Sequence, residues 1–381
     1  MRVAVVARTV SFDSGIGGLE RIVGTHAQEL SSRDMDVTLV TPGRFTFGEL
    51  PAELAHVDVP WPRWGAAPGR PGFGFAYWLW VRRLRRSGQL NRFDALYLHG
   101  ACAGVLAGDA TSVLGRRAVT NPQGMEEFYA GNAFQWTNRV WTRPMSRRAR
   151  LAHTLIATDA GLGERVMRNT GCTQAQLAFI PNNVDVDTLH DMARSWTGTT
   201  PSAWTVVTIG RIVKNKGYDL LLEALRIVDK AGTLPVGWEW IHFGDGPLSA
   251  TLEAEAARTP AVPLTVRKGC SDREVQANLS RAGLFVQPSR YDGSSLTTLE
   301  AMAHERVCVG SPVGGIPDKI VDGETGFLAT EASAGALADA IGRAVRQSGP
   351  DIGRAAAEKV RREFNVAVTM DALAEALRRA R

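Results

Sequence analysis

The chain has 381 residues, 44% of them hydrophobic, and a net charge of +5 from 44 basic and 39 acidic side chains. That length accommodates two domains with separate cores, and no run approaches the ~18 uninterrupted apolar residues of a spanning helix. The four cysteines (Cys102, Cys172, Cys270, Cys308) show no short paired spacing, which disfavours structural zinc and points to reduced thiols in a cytoplasmic setting.

The first residues, Arg2 to Ala7, read as an opening strand, with no cleavage-site pattern before it and so no expected signal peptide. Gly15-Ile16-Gly17-Gly18-Leu19-Glu20 follows, then a helix over 21–30 and a strand over 36–40. A glycine-rich strand-to-helix turn lets the backbone approach a phosphate closely. The second strand ends Leu39-Val40-Thr41-Pro42, without the acid that would hold an adenosine ribose, so a dinucleotide enzyme is disfavoured. Glu20 reads as a helix-start charge.

Between 61 and 100, seven arginines stand against a single acid, Asp94. The span 73–86 is aromatic, then basic, and Arg143, Arg147, Arg148 and Arg150 form a second basic cluster. Two readings stay open: peripheral contact with an anionic membrane surface or acceptor, or an ordinary helix with core aromatics and a solvated arginine face. No binding motif supports a nucleic-acid partner. Further on, 93–98 reads as a strand ending at His99, and Thr120-Asn121-Pro122-Gln123-Gly124 as a turn after another strand. Leu155 to Asp159 with a helix over 163–170 closes the first half, and Trp196 to Pro201 reads as linker, with the domain boundary near 186–203.

The second half opens on a β-branched run, 204–209, a buried strand. Gly210-Arg211 ends it, and Lys214-Asn215-Lys216-Gly217 precedes a helix over 218–228. The chain has only six lysines, so two within three positions stand out. Arginine suits bidentate phosphate recognition and lysine supplies a point charge. Ile241 to Leu248 is a strand and tight turn. The stretch Gln287 to Phe327 then places Asp292 and Glu300 eight positions apart, with Gly293-Ser294-Ser295 between them and Gly314-Gly315 after. Leu296, Leu299, Met302 and Ala303 recur at helical spacing. The small residues before that helix leave backbone N–H groups at its positive end, a site for a phosphate or a polar sugar edge.

The whole pattern from Gln287 to Phe327 resembles the donor-binding signature of the GT-B glycosyltransferases, in particular the retaining family 4. There, two glutamates separated by seven residues serve the donor. Glu300 matches the second, which holds the ribose; Asp292 stands in the first place, beside the transferred sugar, one methylene shorter. Gly210, Arg211, Lys216 and Gly217 resemble the family's phosphate element, in which Arg211 and Lys216 would neutralise the leaving diphosphate, with Lys214 as the other candidate. Gly293, Ser294, Ser295, Leu296 and Thr297 match the donor loop, and Gly17 and Gly18 the N-terminal glycine element that faces the donor phosphates. His99 matches a histidine that lines the cleft, and Gln123 replaces the family's second histidine, so no titrating base is expected there. Pro181-Asn182-Asn183-Val184-Asp185 resembles the turn into the linker, with Asn183 where glycine is usual; asparagine tolerates left-handed backbone.

The resemblance implies an α/β fold of the GT-B type: two Rossmann-like, doubly wound parallel-sheet domains facing a central cleft. The expected spans are 1–190 for the acceptor domain and 204–353 for the nucleotide-sugar domain. A last helix, 354–381, is expected to cross back. The implied activity is retaining transfer of a sugar from a UDP-, GDP- or ADP-sugar to a small-molecule, lipid or glycan acceptor. The donor is a substrate; no cofactor and no metal are implied, since no Asp-x-Asp cluster is present. Rival readings are a GT-B phosphorylase or nucleotide-sugar epimerase, and a non-catalytic nucleotide-sugar-binding protein.

Overall fold

Alternating runs of aliphatic and β-branched residues build the strands, and the central ones are buried along nearly their whole length. That is the pattern of parallel sheets covered by helices on both faces. The computed structural model describes all residues except 13–17, 64, 66–71, 109–112, 124–132, 201–203, 259–261 and 348. The chain divides into two compact units, Met1–Pro181 with Thr369–Arg381, and Asn182–Val368.

The first unit contains β1 (Arg2–Val6), β2 (Val10–Ser11), β3 (Asp36–Thr41), β4 (Thr46–Phe47), β5 (Ala55–Asp58), β6 (Ala95–His99), β7 (Ala118–Asn121), β8 (Thr154–Ala157) and β9 (Leu177–Phe179). Seven of these form one parallel sheet in the order β5-β3-β1-β6-β7-β8-β9; β2 and β4 pair separately. The second unit contains β10 (Thr205–Ile209), β11 (Glu239–Phe243), β12 (Leu264–Arg267), β13 (Leu284–Gln287), β14 (Cys308–Gly310) and β15 (Phe327–Leu328). Its parallel sheet runs β12-β11-β10-β13-β14-β15. Both sheets grow outward in one direction from a central strand and then restart on its other side. Such a switch leaves a crevice at the carboxyl ends of the two strands flanking it. In the first unit those strands are β1 and β6, in the second β10 and β13.

Period-two alternation divides the second unit's core between the two faces of its sheet. Val206, Leu284 and Val286 pack with Leu221, Leu225 and Ile341 on one face. Val207 and Phe285 pack with Leu299, Met302 and Val360 on the other. The first unit's core gathers Trp80, Leu84, Leu96 and Leu98.

Three local readings need revision. The closing segment, expected as one helix over 354–381, is two helices, Pro350–Lys359 and Val366–Arg379, joined by a π turn, Val360–Phe364. The break occurs because the backbone there pairs with Val184, whose N–H donates to the Phe364 carbonyl and whose carbonyl accepts from Val366. Asn183 needs no left-handed backbone: among the described residues, only Asp34, Gln123 and Glu305 adopt positive φ without being glycine. The second unit begins before the expected boundary near 186–203, because it starts at Asn182 and includes the helix Val186–Arg194, capped by Asp185.

Candidate active site

The switch point of the second sheet is flanked by the second-unit residues that the sequence singled out. β10 leads into Gly210 and Arg211, and the turn Lys214–Lys216 ends at Gly217. β13 leads into Pro288–Ser295 and the helix Leu296–Ala303. Gly217 has φ +71°, and a Cβ there would stand 2.0 Å from the Pro288 carbonyl oxygen. Only glycine lets the two loops come this close. Across this contact, Lys216 Nζ donates to Asp292 Oδ2 at 2.7 Å, and Asp292 is only 7% exposed. The same oxygen accepts from Gln287 Nε2 and Ser289 Oγ, each at 3.1 Å. Lys214 points elsewhere: it pairs with Asp219, which Arg290 also clamps. Arg290 and Lys214 together hold the Asp219 carboxyl down at about 2 despite its partial burial. Arg211 is exposed.

Gly210 is fixed from beneath. His242 Nε2 lies 2.9 Å from the Gly210 carbonyl, and its Nδ1 lies 2.8 Å from Thr208 Oγ1, which also accepts from Trp240 Nε1. Burial lowers the His242 pKa to about 4, so the ring is neutral and its single proton sits on Nε2, facing the carbonyl. Gly244 completes the support: its φ is +144°, and a Cβ would meet the Gly210 oxygen at 2.1 Å.

Glu300 is 4% exposed on the helix Leu296–Ala303, which follows the Gly293–Ser295 loop. Its Oε2 accepts from Gln276 Nε2 at 2.9 Å, and Gln276 Oε1 lies 2.9 Å from His304 Nε2. This chain fixes the orientation of the Gln276 amide. Within the loop, Ser295 Oγ lies 3.1 Å from Thr297 Oγ1, and Thr297 donates to Gln287 Oε1. Ser294 Oγ accepts from Lys319 Nζ at 3.0 Å. Gly293 accepts from the Gly315 N–H, and Gly314, at φ +56°, approaches so closely that a Cβ would lie 1.9 Å from the Asp292 carbonyl oxygen. Gly314→Ala is therefore expected to cost at least about 1–3 kcal/mol, the range for strained left-handed backbone. Urea denaturation measures it, and an unchanged midpoint contradicts the packing.

In the first unit, Gly18 begins the helix Gly18–Ser31, while Gly17 lies outside the described residues. His99 ends β6 and is buried; its Nε2 lies 2.9 Å from Gln123 Nε2, an amide nitrogen that only donates. Burial, with smaller contributions from His26 and Arg8, lowers His99 to about 3, so it is neutral and accepts that bond. Gln123 itself has φ +56°. A buried network continues behind it: the Gln123 N–H donates to Asn121 Oδ1, Asn121 Nδ2 donates to Tyr97 OH, and His26 Nδ1 lies 3.0 Å from that hydroxyl. Sequence reasoning missed Tyr97, Asn121 and His26, together with His242, Gln276 and His304 in the second unit. A polar residue alone in an apolar run was the available signal at His242.

The buried histidines make stability pH-dependent. His26, His242 and His304 fall to about 4 and His99 to about 3, all chiefly through burial. The unfolded chain binds these protons near 6.5 and the folded chain does not. Stability is therefore full above about pH 6.5 and lost as pH falls toward 4 and 3. Urea denaturation at pH 7, 6, 5 and 4 is expected to show a steady decline; a flat profile contradicts neutral burial of these rings.

Two parallel sheets, each with a switch point between its central strands, have the architecture of the GT-B class. A "Glycosyltransferase Family 4" model matches residues 16–188 and a "Glycosyl transferases group 1" model matches 203–347. The chain belongs to this glycosyltransferase family. It is 31% identical to glycogen synthase of Rhodopirellula baltica over 147 residues, which is 36% of this chain and 29% of that protein. It is 34% identical to the lipopolysaccharide core biosynthesis mannosyltransferase LpcC of Rhizobium leguminosarum over 149 residues, 37% of this chain and 40% of that protein. These matches span less than half the length of either relative. Sucrose-phosphate synthase from Thermosynechococcus elongatus shares the fold at TM-score 0.79 and 18% identity, covering 99% of this chain and 98% of that one.

Proposed function

We propose that the protein transfers a sugar from a nucleotide diphosphate donor (a UDP-, GDP- or ADP-sugar) to an acceptor nucleophile, with retention at the anomeric carbon. The observation that carries this is the convergence of Lys216, Asp292 and the Glu300 helix at one switch point, within the region that matches the group 1 model. Glu300, a buried carboxylate, accepts from the ribose diol, since charged acceptors make the stronger bonds. Arg211 and Lys216 face the diphosphate. Asp292 holds Lys216 before the donor arrives and turns to the sugar hydroxyls once phosphate takes the ammonium.

In the reaction, the bond between the anomeric carbon and the leaving phosphate oxygen breaks. The acceptor oxygen bonds to that carbon from the same face, and its proton passes to the departing phosphate. Arg211 and Lys216 stabilise the charge that develops on the leaving group. The neutral, accepting His99 and the non-titrating Gln123 suit orientation of hydroxyls rather than proton removal. Incubation with a panel of nucleotide sugars, followed by proton NMR of the anomeric signals, tests the proposal. Release of one nucleotide with an α-to-α or β-to-β outcome is expected. Inversion overturns the retention, and absence of both transfer and slow hydrolysis across the panel and a broad acceptor set overturns the activity.

A further inference from the structure

Residues 61–150 hold fourteen arginines, no lysine and four acids, a net +10 in a chain whose total is +5. The structure gives this charge a place. One side of the helix Phe73–Arg86 buries Tyr77, Trp80 and Leu84 in the first unit's core. On another side, Phe75, Trp78, Arg82 and Arg86 recur at one helical face. The rings of Phe75 and Trp78 stack at 5.8 Å, and Trp141, from the helix Ala133–Arg147, closes on them at 4.9 and 5.5 Å. The Arg82 guanidinium lies 5.0 Å over the Trp78 ring. Trp141 is 37% exposed and its neighbour Val140 60%. Arg147 and Arg148, also exposed, sit two turns further along. None of Arg82, Arg86, Arg147 and Arg148 makes an ion pair among the described residues.

We propose that these two helices form a docking surface for an anionic lipid bilayer. Tryptophan rings favour the boundary between headgroup and acyl chain, and arginines around them reach lipid phosphates while their stems cover apolar surface. A merely solvated arginine face would not carry an adjacent exposed Val140 and Trp141 beside a three-ring cluster. No helix among the described residues is long and apolar enough to cross a membrane, so the contact is peripheral. The inference stands apart from the transferase reading, because none of these residues is placed in the donor site.

Cosedimentation of the full chain with phosphatidylcholine vesicles, with and without phosphatidylglycerol, tests it. Binding is expected only with the anionic lipid and is lost at high salt, over a range set by the Debye length. Trp141→Glu is expected to weaken binding about tenfold or more, and Trp141→Phe to retain it. Arg147→Glu with Arg148→Glu is expected to lose at least about tenfold, since each charge near the surface is worth about fivefold. All are exposed positions, and circular dichroism checks the fold. Absence of binding overturns the proposal, as does binding to neutral vesicles alone. So does anionic binding that Trp141→Glu leaves unchanged, which would mean adsorption by net charge.

Discussion

Lys216→Ala is expected to lower turnover by about 10²–10³-fold while the protein stays folded, the loss seen when one charge-stabilising group is removed from a closed site. The size follows from position. Gly217 brings the Lys216 turn against Pro288, just past the end of β13, and among the described residues the ammonium pairs with Asp292 alone. In the free protein that pair neutralises a buried carboxylate; in the proposed mechanism the same ammonium turns to the donor diphosphate. Removing it leaves the buried Asp292 carboxylate without its counter-charge, held only by Gln287 and Ser289, so stability is expected to fall by up to about 3–5 kcal/mol, and turnover is compared on protein that circular dichroism shows to be folded. Lys214→Ala is the control. Its exposed pair with Asp219 belongs to a surface cluster with Arg290, and such pairs contribute little. Equal loss in both variants, or near-normal turnover in Lys216→Ala, contradicts the assignment.

Glu300→Gln is expected to weaken nucleotide binding by about 10–100-fold, because hydrogen bonds to a charged acceptor contribute more than neutral ones. The substitution preserves volume in a buried position. The new amide can turn its oxygen to the Gln276 Nε2 and keep that bond, so the change falls on the other carboxylate oxygen, which becomes an N–H donor. A 2′-deoxynucleotide isolates the ribose contact. It is expected to bind the wild type more weakly than the ribonucleotide and to show a smaller difference in the variant, the signature of a direct contact in a double-mutant cycle. Equal discrimination in both proteins means that Glu300 does not touch the ribose.

Much of this arrangement was readable before any coordinates. The β-branched run ending at Gly210, the paired lysines before Gly217, and the Asp292–Glu300 spacing each carry a local signal, and two parallel-sheet domains follow from strands alternating with helices. What stayed hidden depends on distant contacts. The Lys216–Asp292 pair joins residues 76 positions apart, and only the order β10-β13 in the sheet makes them neighbours. His242, Gln276 and His304 support Gly210 and Glu300 from below, and single polar residues in apolar or helical runs do not announce a partner. The break at Val360–Phe364 was invisible for the same reason. Its cause is a backbone pairing with Val184, while the local sequence reads as continuous helix. The aromatic stretch 73–86 was ambiguous because helix periodicity shows a face without showing what covers it; the structure divides it into a buried side around Trp80 and an outward side carrying Arg82 and Arg86, with Trp78 half-buried between them.

Calorimetric titration of UDP, GDP and ADP into the wild-type protein and Glu300→Gln tests the donor site most directly. One of the three is expected to bind the wild type clearly and the variant far more weakly. A well-folded wild type that binds none of them, or a variant that binds as tightly as the wild type, contradicts a nucleotide-sugar site built on Glu300.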